Sequence, residues 1–152
     1  MLNPSETLFI GLFVSFIILE RTGIYPGGII VPGFLSFYFP FPGRIITTFV
    51  IALISVGLFR IISARTLLFG RRRFFFMVLT GAFLTSLYNI FSIGLSSAEL
   101  LLPDTRVVGL IIPGLIANNT ERQGVIKTFS TAVIALVLTW LLSRLYMSFL
   151  VN

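Results

Sequence analysis

Side chains able to do chemistry are few in this 152-residue chain. It has no cysteine and no histidine, which excludes disulfides, thiolate nucleophiles, histidine bases and Cys/His metal sites. The carboxylates are Glu6, Glu20, Glu99, Asp104 and Glu121, which leaves little for acid–base catalysis or for a carboxylate metal site. No GxxxxGK[ST] stretch is present to cradle a nucleotide phosphate. No nucleophile–base pair is evident, and Ser36, Ser92 and Thr120 read as helix-interface or capping residues. Two other features stand out. The segments around Gly28, Pro32 and Gly33 and around Gly109, Pro113 and Gly114 are apolar yet broken by proline and glycine, with Arg21 and Arg106 close in sequence. A helix restarting after such a Pro-Gly pair exposes free backbone N–H groups and a positive dipole end, which favour carboxylates or phosphates. On that reading the eight residues form an anion-friendly path. The alternative is that the Pro-Gly pairs are packing devices that let helices approach closely. Arg21 then pairs locally with Glu20, the favoured reading for that residue, and Arg106 pairs with Asp104.

The elements that must hold these residues follow from composition. The chain is 57% hydrophobic and 11% charged, where a soluble domain carries about 25% charge. Sixteen charged side chains cannot solvate a surface of this size, so the outer surface must meet lipid. An all-α, polytopic membrane bundle follows, read as a single membrane domain over residues 1–152. Asn3-Pro4-Ser5-Glu6 starts a helix that runs to Arg21 and reads as a retained span, not as a cleavable signal. Ile45 to Phe59 reads as a span running on toward Ser63, and Phe74 to Ala98 as another. Thr120-Glu121-Arg122-Gln123 reads as a capping box opening a last helix from Val125 to about Phe149.

The net charge of +6 would suggest nucleic acid in a soluble protein. Here much of the excess lies at Arg60, Arg65, Arg71, Arg72 and Arg73, beside apolar segments. A basic loop over residues 60–73 on the cytoplasmic side is the favoured reading, and no nucleic-acid partner is expected.

The chain also repeats itself. Gly28 to Ser36 matches Gly109 to Ala117, with four identities in nine positions. Thr48-Phe49 echoes Thr128-Phe129, and Ile54, Leu58 and Ser63 echo Ile134, Leu138 and Ser143. The halves, about 4–66 and 74–150, each read as a span, a broken Pro-Gly segment and a second span. If the broken segments turn back, each half crosses twice; if they cross, each crosses three times and the halves are inverted. Their short apolar runs favour four full spans and two re-entrant elements.

The motifs now in view resemble one family. Glu20-Arg21-Thr22-Gly23-Ile24-Tyr25-Pro26-Gly27-Gly28-Ile29-Ile30-Val31-Pro32-Gly33 is similar to the N-terminal motif of PgsC/CapC proteins, the small membrane subunits of poly-γ-glutamate synthesis. Leu68 to Phe74, with Arg71, Arg72 and Arg73, resembles that family's central Gly-Arg-Arg stretch. Val108 to Asn118, followed by Gln123-Gly124, resembles its second Pro-Gly motif. The resemblance implies a subunit with no catalytic site of its own, working in the bacterial cytoplasmic membrane. Its implied partners are a PgsB/CapB-like ATP-dependent amide ligase, which would carry ATP and Mg²⁺, and a PgsA/CapA-like protein outside. The polymer is a polyanion, and Arg71 to Arg73 would dock the ligase or simply set topology. A stand-alone small transporter or channel, and a purely structural anchor for the ligase, are the competing readings.

Overall fold

The computed structural model describes residues 4–63, 70–95 and 107–150. Among them the chain forms six helices: α1 (Pro4–Thr22), α2 (Val31–Ser36), α3 (Pro42–Ser63), α4 (Arg71–Leu95), α5 (Ile112–Gln123) and α6 (Val125–Leu150). The all-α expectation holds. Three stretches, Pro42–Ser63, Arg71–Phe91 and Val125–Phe149, are long and apolar enough to cross a membrane. The helix expected over Pro4 to Arg21 forms as α1, but it carries Glu6, Glu20 and Arg21 and is not among those three.

Between their charged ends, the long helices present a largely apolar outer surface. Phe9, Leu79, Phe83, Ile126 and Phe149 are all largely exposed. Water would make that arrangement costly, whereas hydrocarbon makes it neutral. The interior instead gathers small hydroxyl residues. Thr48, Ser55, Thr128 and Thr139 are fully buried, and each hydroxyl donates to the carbonyl four residues back. That local bond satisfies a polar group without a distant partner, so threonine and serine pack between helices at low cost.

Helix directions follow from residue contacts. In α1 and α6, Phe9, Ile10 and Phe13 share an apolar groove of about 590 Å³ with Leu142, Leu145, Tyr146 and Phe149, and the two helices run in opposite directions. Phe39 stacks on Trp140 at 4.4 Å and Phe49 meets Phe129 at 4.6 Å, so the chain entering α3 also runs against α6. Consecutive long helices α1 and α3 therefore point the same way. The connection between them must come back, and it does so along α6. Tyr25 is tied to Thr128 through Gln123, Gly27 faces Ala132, and Phe39 reaches Trp140. The second connection behaves alike along α3, with Val108 bonded to Thr48 and Glu121 bonded to Arg60. Each of these tracks covers twelve residues of its neighbouring helix, about 18 Å. The short segments thus run in one direction along part of a neighbouring helix, and the re-entrant arrangement favoured from their length is not borne out.

The expected capping box also differs. Thr120 to Gln123 are the last turn of α5, not the start of α6. The reversal falls at Gly124, whose φ of 94° is costly for any residue with a Cβ.

Candidate functional site

The two broken segments meet at the centre of the bundle. Val31 and Leu35 of α2 pack with Val108, Ile112 and Ile116 of the second segment, and with Ala52 and Leu136 from α3 and α6. Each segment begins with glycine at positive φ, 135° at Gly28 and 65° at Gly109. This turns the chain sharply, and then an uncapped helix starts with proline in its first turn. Ile29, Ile30, Leu110 and Ile111 stay exposed at these turns.

Gly33 and Gly114 sit where helices cross at the closest approach. A methyl group built on Gly11 of α1 would lie 2.4 Å from Gly33 Cα, and one on Gly81 of α4 would lie 2.5 Å from Gly114 N. A methyl on Gly114 would meet Met77 O at 2.8 Å. Pro32 and Pro113 are buried beside them. These contacts put the first turns of α2 and α5 against helix backbones, the arrangement the close-packing alternative requires.

Two side chains tie the segments to the opposite half. The Gln123 amide holds the Tyr25 backbone in a two-bond clamp: Tyr25 N–H donates to Oε1 at 2.8 Å, and Nε2 donates to Tyr25 O at 2.8 Å. Thr48 Oγ1 accepts the Val108 N–H at 3.0 Å while donating to Arg44 O. Both compensate backbone groups that the missing helix leaves open.

The arginines are placed differently. Arg21 is exposed at the end of α1, and among the described residues no ion pair joins it to Glu20. Arg106 and Asp104 lie outside the described residues. Arg71, Arg72 and Arg73 form the first turn of α4, so the expected basic loop over residues 60–73 is helix at both ends, and residues 64–69 lie outside the described residues. Three cations at a helix N-terminus oppose its dipole at a cost of about 0.3–1 kcal/mol each. Arg73 is half-buried. Met77 clusters with Ala117 and Gly81 meets Gly114, so one turn earlier in α4 Arg73 comes level with Thr120. Arg73 Nε and Thr120 Oγ1 are both buried without a hydrogen-bond partner among the described residues. Nearby, Arg60 Nε donates to Glu121 Oε2 at 2.9 Å.

Among the described residues no three acidic side chains converge as a metal site would need. The comparisons with known proteins take the matter further. The description of the capsule biosynthesis protein CapC matches residues 10–129. The chain belongs to the CapC family. It is 34% identical over 128 residues to the PGA biosynthesis protein CapC of Bacillus subtilis (strain 168), covering 84% of each chain. It is 32% identical over 143 residues to the capsule biosynthesis protein CapC of Bacillus anthracis, covering 93% of this chain and 94% of that one. No solved structure matches.

Within this CapC-family chain, sequence reasoning missed the partners that make the segments fit. Gly11 and Gly81 are lone glycines in apolar helical runs, where each costs about 1 kcal/mol relative to alanine, and that cost was the available signal. The Arg60–Glu121 and Gln123–Tyr25 contacts span 61 and 98 residues and left no local signal.

Proposed function

We propose that this CapC-family chain is the membrane subunit of a poly-γ-glutamate synthase complex. It partners a cytosolic PgsB/CapB-like amide ligase that holds ATP and Mg²⁺, together with an outer PgsA/CapA-like protein, in the bacterial cytoplasmic membrane. The observation that carries this reading is family membership along most of the chain, in a bundle with three helices able to cross a membrane. Poly-γ-glutamate keeps one free carboxylate per residue, and moving such a polyanion through hydrocarbon uncompensated is prohibitive. In the path reading, the segments at Gly28, Pro32, Gly33, Gly109, Pro113 and Gly114, with Arg21 and Arg106, lower that cost. In the docking reading, Arg71, Arg72 and Arg73 meet an acidic face of the ligase. The exposed Arg71 and Arg72, held against the α4 dipole, support an anionic contact there.

The test is co-expression with the ligase in membranes, assayed for ATP-dependent γ-linked glutamate polymer with and without this chain. Polymer formed only with both is expected. Full synthesis without this chain would refute the subunit reading. A second reading, a structural anchor for the ligase, is favoured by the burial of Gly33 and Gly114 against helix backbones. Substitutions in the Pro-Gly motifs that keep the complex assembled but stop polymer formation separate the path from the anchor. Neutralising Arg71, Arg72 and Arg73 should weaken co-purification with the ligase, and unchanged recovery would rule out docking through them.

A further inference from the structure

The contacts sort the helix ends into two groups. The ends of α1 and α3 and the start of α4 lie at one end of the bundle, beside the α5–α6 reversal. Tyr25, just after α1, is clamped by Gln123; Arg60, near the end of α3, is bonded to Glu121; Phe59 of α3 meets Phe76 of α4. The start of α1 and the end of α6 meet at the other, along the groove between Phe9 and Phe149. The start of α3 joins them there, through Phe39 on Trp140.

Charge divides along the same line. Among the described residues, the first end carries seven cations, Arg21, Arg60, Arg71, Arg72, Arg73, Arg122 and Lys127, against Glu20 and Glu121. The second carries Arg44, Arg144 and Glu6. Arg44 lies over the Tyr38 and Phe41 rings and Arg144 over Trp140, so both guanidinium groups rest on aromatic faces. An excess of Lys and Arg near span ends fixes the cytoplasmic side.

We infer that the bundle is inserted with its Arg71–Arg73 end in the cytoplasm and with the start of α1 and the end of α6 both on the outer side. The two broken segments then supply the return between parallel long helices, and the halves are two triplets of opposite direction. This differs from a four-span chain, in which the basic residues and both termini share the cytoplasmic side. It also makes the arginine-rich end the face that a cytosolic protein meets, whichever protein that is. The orientation does not depend on the synthase reading, because it follows from helix direction and charge alone.

The natural absence of cysteine makes the test direct. Single substitutions Ser5→Cys, Ser148→Cys and Thr22→Cys, all at exposed positions, are made in the full chain in cells. A membrane-impermeant maleimide should label Ser5→Cys and Ser148→Cys in intact spheroplasts, and Thr22→Cys only after permeabilisation. Fusions at the C-terminus provide a second readout: alkaline phosphatase should be active there and a cytoplasm-dependent fluorescent protein dark. Labelling of Thr22→Cys from outside overturns the inference. So does protection of either Ser5→Cys or Ser148→Cys, or an inactive phosphatase fusion.

Discussion

Replacing Gly81 with alanine tests whether the bundle depends on backbone-to-backbone contact between α4 and α5. The added methyl would stand 2.5 Å from Gly114 N and 2.6 Å from Gly114 Cα. Ordinary carbon contacts lie at about 3.5–4.0 Å, so the helices must part by about 1 Å. The obstructing atoms are backbone, and no rotamer change relieves them. Overpacking of this kind costs about 1–3 kcal/mol, while alanine in a helix returns up to about 1 kcal/mol. A net loss of up to about 2 kcal/mol is expected. Gly57 of α3 supplies the control, because nothing lies within 4 Å of a Cβ built there. Gly57→Ala should gain up to about 1 kcal/mol from propensity alone. The assay is denaturant unfolding of the purified chain in detergent, followed through Trp140, the single tryptophan, which stacks on Phe39. The propensity gain is common to both, so two chemically identical substitutions should differ by the overpacking cost, about 1–3 kcal/mol. Equal stability of Gly81→Ala and Gly57→Ala would refute the close-crossing argument.

Three further perturbations use the same assay. Gln123→Ala strips both partners from the Tyr25 backbone and should cost about 1–3 kcal/mol, with Gln123→Glu recovering only part because it keeps an acceptor but no donor. Thr48→Val keeps volume but leaves the buried Val108 N–H unpaired; a loss of about 1–3 kcal/mol is expected, and Thr48→Ser should restore most of it. The Arg60–Glu121 pair, with an Arg60 side chain 60% exposed, should show a coupling of about 0.2–1 kcal/mol in a double-mutant cycle, shrinking as salt is raised.

The long helices were legible because each is a sustained apolar run, and α3, α4 and α6 fall within a few residues of the expected spans. The Pro-Gly segments were legible as breaks, since proline and glycine punctuate any helix. The last turn of α5 was misread for a physical reason. Thr120 followed by Glu121, Arg122 and Gln123 has the residue types of a helix start, but Ile116 to Thr120 are buried and carry the helix onward. Gln123, which would have served as the reciprocal cap, is spent on Tyr25. The direction of the short segments was equally hidden. Segment length alone favours turning back, whereas direction is decided by which neighbour each segment lies against.

By itself the sequence determined the solvent, the secondary structure class and the family. Sixteen charges on 152 residues demand a lipid-facing surface, and ordered motifs such as Gly28 to Gly33 and Gly109 to Gly114 are local patterns that need no tertiary contact to be read. Tertiary structure decided how the halves engage. It brought Gly11 to Gly33 and Gly81 to Gly114, set Gln123 on Tyr25, and aligned helix ends so that cations gather at one end. Those outcomes depend on contacts between residues far apart in the chain. Packing selects such contacts from many that a one-dimensional pattern allows.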